Sequence, residues 1–537
     1  MHRASASAFS YNSQKPLLSP SATGDSWLAQ KPDGSAYRPP LDFDRDHGSR
    51  ALAVFGLILS IIAGVACIVG GFYTSLKATH NPDPAPSTYN IGWTMSNHSI
   101  ERELIGLVVN ILVAICTEAI GFVHCVALRS TLAIEGRLTF TTNLRLLTAA
   151  RGNFGNGTVM NLIMAVLLVA SYASSSMIFP RDTWDADANQ QREQPSLAIW
   201  PIPLIVLGVV LLLQAIIAIT GVLTSPTGIQ TWSSSQFDLT AAAIRDHNTP
   251  IEYHPGRCMM SVRDRRSAPT PLLPSRNQPS PWNSHPRVQK VMWFTWMFAP
   301  AYIIGGAVIV QLTRSSLYKG LSWGFLPGAN TYTYVWYPTT SGTTSAIGII
   351  LAFIIVIAAQ SPLTMGLHGC EIITNIVRDE KAWRRASGTG APMSSGIGTT
   401  IEDLLSHPGA GFAAWWPTVA LLIVKPFFHW VFGLAFHSSG IVMAVGPVQF
   451  FYLAVFMGAF TSIMSLLAFN SPSGPQPAAY GHLQTLADLI DYWPPRDGRI
   501  YWGDKTTHIL AYHAGTSSRE LPRVKMGCPY AGHTAQL

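Results

Sequence analysis

The chain has 537 residues, of which 48% are hydrophobic and only 12% charged, with a mean hydropathy of +0.24 and a formal net charge of +7. Soluble domains carry about 25% charged residues. Half that fraction excludes an ordinary soluble protein, and the apolar content excludes a disordered one.

The first 50 residues are rich in Ser, Ala and Pro and show no apolar period, which predicts a disordered tail over 1–50. No cleavable signal peptide is visible, because the first apolar run begins only at Ala51. The first span is therefore expected to act as its own insertion signal.

A helix needs about 20 predominantly apolar residues to cross the bilayer core. Eight stretches qualify: 51–76, 104–128, 158–180, 200–224, 291–313, 344–368, 411–436 and 441–469. The predicted fold is an all-α membrane protein, a bundle of about eight transmembrane helices. Spans 1–4 occupy 51–224 and spans 5–8 occupy 291–469, with a basic, Pro-rich loop over 225–290 between them.

Three signals give the orientation. Most Lys and Arg fall in 1–50, 129–157, 225–290, 369–410 and 470–537, all on one side. Asn97-His98-Ser99 is a glycosylation sequon on the sparse side. None of the six cysteines lies in the sparse loops, as expected if those loops face an oxidising lumen without disulfides. Both termini are expected to be cytosolic, in a secretory-pathway or plasma membrane.

In the loop after span 4, Arg257, Arg263, Arg265 and Arg266 could meet anionic lipid headgroups, each worth about 1 kcal/mol. Arg384-Arg385-Ala386-Ser387 fits a basophilic kinase consensus, which makes Ser387 a candidate phosphorylation site. In the C-terminal segment Leu483, Leu486 and Ile490 have helical spacing. Arg499–Trp502 and 508–512 flank Gly503-Asp504 as a hairpin would. A small cytosolic α+β lobe over 470–537 follows. Its histidines and Cys528 lack zinc spacing, and no metal or cofactor is expected.

Two pairs of strings hint at a four-plus-four duplication. Span 2 ends in Gly121-Phe122-Val123-His124-Cys125 and span 6 in Gly366-Leu367-His368-Gly369-Cys370. Ile61-Ile62-Ala63-Gly64 of span 1 echoes Ile303-Ile304-Gly305-Gly306 of span 5. An even number of spans per repeat gives parallel repeats about an axis along the membrane normal.

No P-loop, zinc-protease motif or nucleophile elbow is present, and no enzymatic activity is expected. Polar residues inside spans carry the remaining information, because they are costly there and face the bundle interior. In span 2, Asn110, Thr117 and His124 share one stripe, with Glu118 beside it. In span 7, Lys425 precedes Pro426, and His429 lies one turn on. At 1.5 Å per residue, Glu118 and Lys425 sit roughly 21 and 17 Å from the same end. Spans 2 and 7 are therefore expected to be neighbours, with these two residues in contact.

Several strings resemble a family of fungal multi-pass membrane proteins with no assigned activity. They include Glu135-Gly136-Arg137-Leu138, Gly366-Leu367-His368 with Cys370-Glu371, Lys425 with His429-Trp430, and Trp502-Gly503-Asp504-Lys505. The resemblance implies fungal origin and membrane location, and no functional site.

The functional expectation is a polytopic membrane protein, with two readings. A solute transporter or channel would use Asn110, Thr117, Glu118, His124, Lys425 and His429 as a polar path. A scaffold or organiser would act through its cytosolic segments. A lipid-modifying enzyme would need clustered groups such as His124, His368 and Glu371 at one interface.

Overall fold

The structure is a computed structural model. It describes residues 43–79, 87–94, 98–142, 146–180, 196–226, 228–246, 250–253, 257–262, 271–313, 323–326, 334–336, 346–394, 405, 408–439, 442–495, 498–506 and 512–531. The expected tail lies almost wholly outside these residues, as do Asn97, Arg263, Arg265 and Arg266.

In chain order the elements are α1 (His47–Lys77), β1 (Tyr89–Thr94), α2 (His98–Ile134), α3 (Thr158–Met177), β2 (Ser196–Ile199), α4 (Pro201–Leu223) and α5 (Gln236–Arg245). Then come α6 (Pro281–Ser284), α7 (Pro286–Trp296), α8 (Phe298–Leu312), β3 (Tyr334–Trp336), α9 (Ala346–Gly369), α10 (Glu371–Arg385) and β4 (Ala391–Pro392). The last are α11 (Pro408–Ala435), β5 (Phe436–Ser439), β6 (Val442–Val445), α12 (Pro447–Phe469), α13 (Leu483–Leu489), β7 (Arg499–Asp504) and β8 (Ala514–Ser517).

Among the described residues eight helical segments are long and apolar enough to cross a membrane. Span 2 is longer than expected at both ends, as α2, and three other spans differ in kind. Span 5 is two helices, α7 and α8, meeting at Met297 three residues before Pro300. Span 6 continues past Cys370 as α10, so the helical segment runs from Ala346 to Arg385. Span 8 starts at Pro447, not 441, because 442–445 form a strand paired with both β5 and β3. A short apolar run reads equally well as buried strand or as helix, so its period could not separate them.

The first four spans share one apolar core, around Ile120, Leu168, Tyr172 and Leu211. The last four share another, around Leu363, Phe428, Val431 and Met457. Helix α1 lies against α4 at small residues: a Cβ on Gly64 would come 3.1 Å from the Gly208 carbonyl. The counterpart pair, α8 and α12, also packs together. Across the seam α2 packs on α11 and α3 on α9. Exchanging spans 2 and 6 together with spans 3 and 7 maps one cross-seam contact onto the other. That is the pairing a two-fold relating the halves would produce.

One end of the bundle carries β1–β2 and the three-stranded sheet β3–β6–β5; we call it the hairpin side. The other, the lobe side, carries a folded unit with its own core of Phe237, Trp383, Leu486, Ile500, Trp502 and Tyr530. Trp502 is buried there.

Two expectations change here. Much of the described part of 225–290 is built into the lobe or against the base of the last four spans instead of forming a loop. Helix α5 is buried, and Cys258, Met259, Met260 and Val262 join the interior. The strand β7 does not turn at Gly503-Asp504. It runs through them and pairs antiparallel with β8, with Gly503 opposite Gly515. Residues 507–511, which hold most of the expected partner strand, lie outside the described residues.

The lobe also anchors span 6. Glu380 of α10 accepts hydrogen bonds from the backbone N–H groups of Ala479 and Tyr480, both at 2.9 Å. Thr141 donates to Asp379 at 2.5 Å, and the Trp383 indole donates to the Pro477 carbonyl at 2.7 Å. Helix α10 is thus held at its lobe end while its first residue, Glu371, reaches into the bundle.

Candidate intramembrane ionic site

Helix α11 contains Pro417 and Pro426. Proline has no N–H to give, so Pro426 leaves the Leu422 carbonyl without its helical donor. Lys425, just before it, is buried with a side chain only 3% exposed. Its Nζ lies 2.6 Å from Glu118 Oε1 of α2 and is also hydrogen-bonded to Glu371 Oε1 of α10. The expected contact of Glu118 with Lys425 is therefore present in the structure, with Glu371 as a third member.

Glu371 reaches this position because α9 ends at Gly369 and α10 begins at Glu371, with only Cys370 between them. His368 and Glu371 straddle the break, with His368 Nδ1 2.8 Å from Glu371 Oε1 and 3.8 Å from Glu118 Oε1. His368 is buried, whereas the two carboxylate side chains are about a quarter exposed, 27% and 26%. Access to the cluster therefore runs through the acids.

Glu118, His368 and Glu371 each offer a ligand atom within 4.8 Å of the others, a donor set that could also hold a divalent cation. Lys425 already lies against both carboxylates, so a metal would have to compete with its ammonium. Any such group would be held by these three residues.

Above the cluster, toward the hairpin side, is a second layer. His429, one turn along α11, stacks on Tyr172 of α3 with ring centroids 3.6 Å apart and planes at 11°. Its Nδ1 is 3.1 Å from Gln360 Nε2 of α9. The Tyr172 hydroxyl lies 3.3 Å from Thr117 Oγ1 of α2. One turn further Ser175 donates to Asn110 Oδ1 at 3.0 Å. A cleft with about 30 Å³ of water-sized space adjoins this pair, lined by Arg102, Glu103, Asn110, Ser175, Trp430 and Gly433 among others.

Of the residues singled out in the sequence, Glu118, Lys425, Thr117, Asn110 and His429 fall in this one column at the seam. His124 is fully buried on the same stripe of α2, two turns past Thr117 toward the lobe side. The sequence marks Gln360 as a polar residue inside span 6 but does not place it in the column, and it gives no sign of Tyr172 or Ser175 there. It also placed Glu371 in an aqueous stretch. The motif Gly366-Leu367-His368 flagged the neighbourhood without the pairing.

The other candidate positions stand apart. Ser387 is exposed and donates to the Arg384 carbonyl, 3.1 Å, and to Gln476 Oε1, 3.0 Å. Arg257 faces Asp488 at 3.8 Å. Asn156, which opens a second sequon, Asn156-Gly157-Thr158, is fully buried and donates to the Gly221 carbonyl at 3.0 Å, which leaves no room for a glycan.

The lobe holds a separate charged cluster. Asp491 accepts from His513 Nε2 at 3.2 Å, from Lys505 Nζ at 2.9 Å and from the Thr516 N–H at 2.6 Å. Burial opposes both charges. The hydrogen bonds and Lys505 overcome it at Asp491, whose carboxyl is held well below its usual range. The carboxylate and Cys258 do so at His513, which is pushed up to about 10. An imidazole held protonated is a poor base at neutral pH, so this cluster is a clamp, not a nucleophile's partner.

Comparison of the chain with protein-family models, curated proteins and solved structures gives no match.

Proposed function

We propose that this chain is a polytopic integral membrane protein that moves a charged species or a solute across the bilayer, with the Glu118–Lys425–Glu371–His368 cluster as its ionic site. The observation that carries this reading is the buried Lys425 held between two partly exposed carboxylates where the two four-span halves meet. Ionisable groups at mid-membrane cost at least about 2.5–3.5 kcal/mol each, and a bundle needing only adhesion has less expensive interhelical contacts at hand. Binding sites of duplicated transporters lie at the interface of their repeats, near mid-membrane. In this reading both termini and the lobe are cytosolic, in a plasma or secretory-pathway membrane. The chain is then a member of the fungal family it resembles.

The test is reconstitution of the purified protein in liposomes with charge movement followed by a potential-sensitive dye. Wild type is expected to move charge, and Glu118→Gln/Glu371→Gln/Lys425→Met, which removes all three charges together, is expected to fold and move none.

A second reading, a scaffold, rests on one observation. Residues from the segment before span 1, the 225–290 segment, the end of span 6 and the C-terminal segment join in one lobe, and this includes Ser394 donating to Asp44 at 2.8 Å. Folded wild type that moves nothing under any gradient would favour it.

A further inference from the structure

The lobe-side end of α2 carries a basic side chain that the ionic column does not use. Ala119 to Leu128 include no Asp, Glu, Lys or Arg, and Arg129 follows where span 2 leaves the apolar layer. Arg129 is only 9% exposed. Its Nη2 donates to the Ser233 carbonyl at 3.0 Å, its one hydrogen bond among the described residues. A guanidinium carries five N–H donors, and here the rest are not sealed in protein. They open on a cleft of about 30 Å³ between α2 and α5, lined by Arg129, Ser130, Leu138, Thr231, Leu239 and Ala243 among others. Asp379 of α10 acts on Arg129 from a distance, but its carboxylate is taken up by Arg378 at 3.0 Å and by Thr141. Arg129 forms no ion pair of its own among the described residues. A buried cation without an anion is expensive, so this geometry suits an oxyanion.

The rim of the cleft is basic as well. Thr231 Oγ1 donates to the Asp44 carbonyl at 2.6 Å and the Trp232 N–H to the Arg45 carbonyl at 3.2 Å, which lays the segment before α1 along the cleft wall. Arg45 is exposed there, and so is Arg245 of α5, whose guanidinium lies 5.9 Å from the Phe43 ring. The neighbouring acids are engaged: Asp44 accepts from Ser394 at 2.8 Å, and Asp246 from Gln230 at 2.8 Å. We infer that this cleft binds the phosphate of an anionic phospholipid, with its two free oxygens on the Arg129 fork and its net charge read by Arg45 and Arg245. A planar guanidinium meets two phosphate oxygens at once, which an ammonium does not. The cleft has space for about two waters, so it admits the two oxygens and leaves the glycerol and the chains outside, at the depth where α2 enters the apolar layer. Free phosphate shares the oxyanion chemistry but has no chains to hold it at that depth. The bound phosphate ties α5 of the lobe to span 2, about three turns of helix from Glu118. This site is independent of the transport reading.

The experiment uses the full-length protein in a non-ionic detergent, with bound lipid counted by native mass spectrometry and melting followed by tryptophan fluorescence. The probes are dioctanoyl phosphatidylglycerol, dioctanoyl phosphatidylcholine and inorganic phosphate. Wild type is expected to hold a single phosphatidylglycerol tightly and to melt higher with it. Phosphatidylcholine should bind about tenfold more weakly, for want of a net charge, and inorganic phosphate more weakly still. Arg129→Gln should weaken phosphatidylglycerol binding by about 10²-fold, through the loss of two charged hydrogen bonds. Arg129→Lys keeps the charge, loses the fork and should cost about tenfold. Ser130→Phe fills the cleft from a partly exposed position and leaves Arg129 in place, so it should lower binding even where Arg129→Gln fails to fold. Phosphatidylglycerol binding unchanged by Ser130→Phe and by whichever Arg129 variant folds overturns the site. Inorganic phosphate binding as tightly as phosphatidylglycerol overturns the lipid assignment, and phosphatidylcholine binding as tightly overturns the role of the basic rim.

Discussion

Replacement of Lys425 by Met removes a buried positive charge that touches two carboxylates. The side chain is almost fully buried and contacts both Glu118 and Glu371. Removing one partner of a buried ion pair costs about 3–5 kcal/mol, because the remaining charge is left uncompensated. Here two carboxylates lose the same ammonium at once. Glu118→Gln is a lighter perturbation. Lys425 keeps Glu371, and one charged hydrogen bond is weakened, at about 1.5–3 kcal/mol. The expected order of stability is therefore wild type, then Glu118→Gln, then Lys425→Met. The third member also changes the rescue. Glu118→Gln with Lys425→Met still leaves Glu371 beside His368 and should recover only part of the loss. The triple variant with Glu371→Gln should recover most of it. Melting midpoints of the detergent-solubilised proteins, read by tryptophan fluorescence and size-exclusion recovery, test the order. Lys425→Met melting with wild type, or Glu118→Gln melting below it, would refute the three-member site.

Three further outcomes are expected. Burial raises Asp238 to about 7, against the lowering effect of Ser233, which donates to it at 2.6 Å, and of the Asp44 N–H. The folded lobe then holds a proton the unfolded chain has lost, so its stability should fall as pH rises from about 4 to about 7, by up to about 4 kcal/mol. Asp238→Asn should flatten that slope in protease-resistance assays, and an unchanged slope would dismiss the assignment. His513 works at higher pH: raised to about 10, it stabilises fully below its unfolded value of about 6.5 and progressively less up to about 10. His513→Gln should therefore weaken the lobe by on the order of 3 kcal/mol at pH 6 and hardly at all near pH 10, measured by Trp502 exposure; a pH-independent loss would mean the effect is packing alone. Finally, glycosidase treatment should shift gel mobility through Asn97, with Asn97→Gln abolishing the shift; a shift that survives this substitution would argue against the assigned topology.

The spans were legible because run length is a one-dimensional quantity. Twenty apolar residues need no knowledge of neighbours to be recognised. The contact of Glu118 with Lys425 was legible for a related reason: two charges at equal depth in adjacent spans have few other ways to be neutralised. Glu371 was not. Its place depends on α10 continuing the helical path beyond Cys370 and on Glu380 and Trp383 being gripped by residues 477–480, almost a hundred positions away in sequence. Nothing local distinguishes that segment from an aqueous basic stretch. The same holds for 257–262. Cys258, Met259 and Met260 are buried by partners such as Ala531, whose carbonyl accepts from the Cys258 thiol at 3.0 Å. Their own spacing has no helical or strand period, while the nearby prolines and arginines suggest solvent.

The position of the ionic column follows from the packing of the halves. The cores of spans 1–4 and 5–8 are separate, so the surfaces of α2 and α3 facing α9 and α11 are where each half's burial is incomplete. Polar groups are tolerated there because each finds a partner on the other half: Glu118 with Lys425, and Tyr172 with His429. The interface joins ion pairs, stacked rings and hydrogen bonds to an apolar core of Ala173, Trp200, Ala352 and Met443 toward its hairpin-side end, so the polar groups sit inside a seam that is otherwise packed.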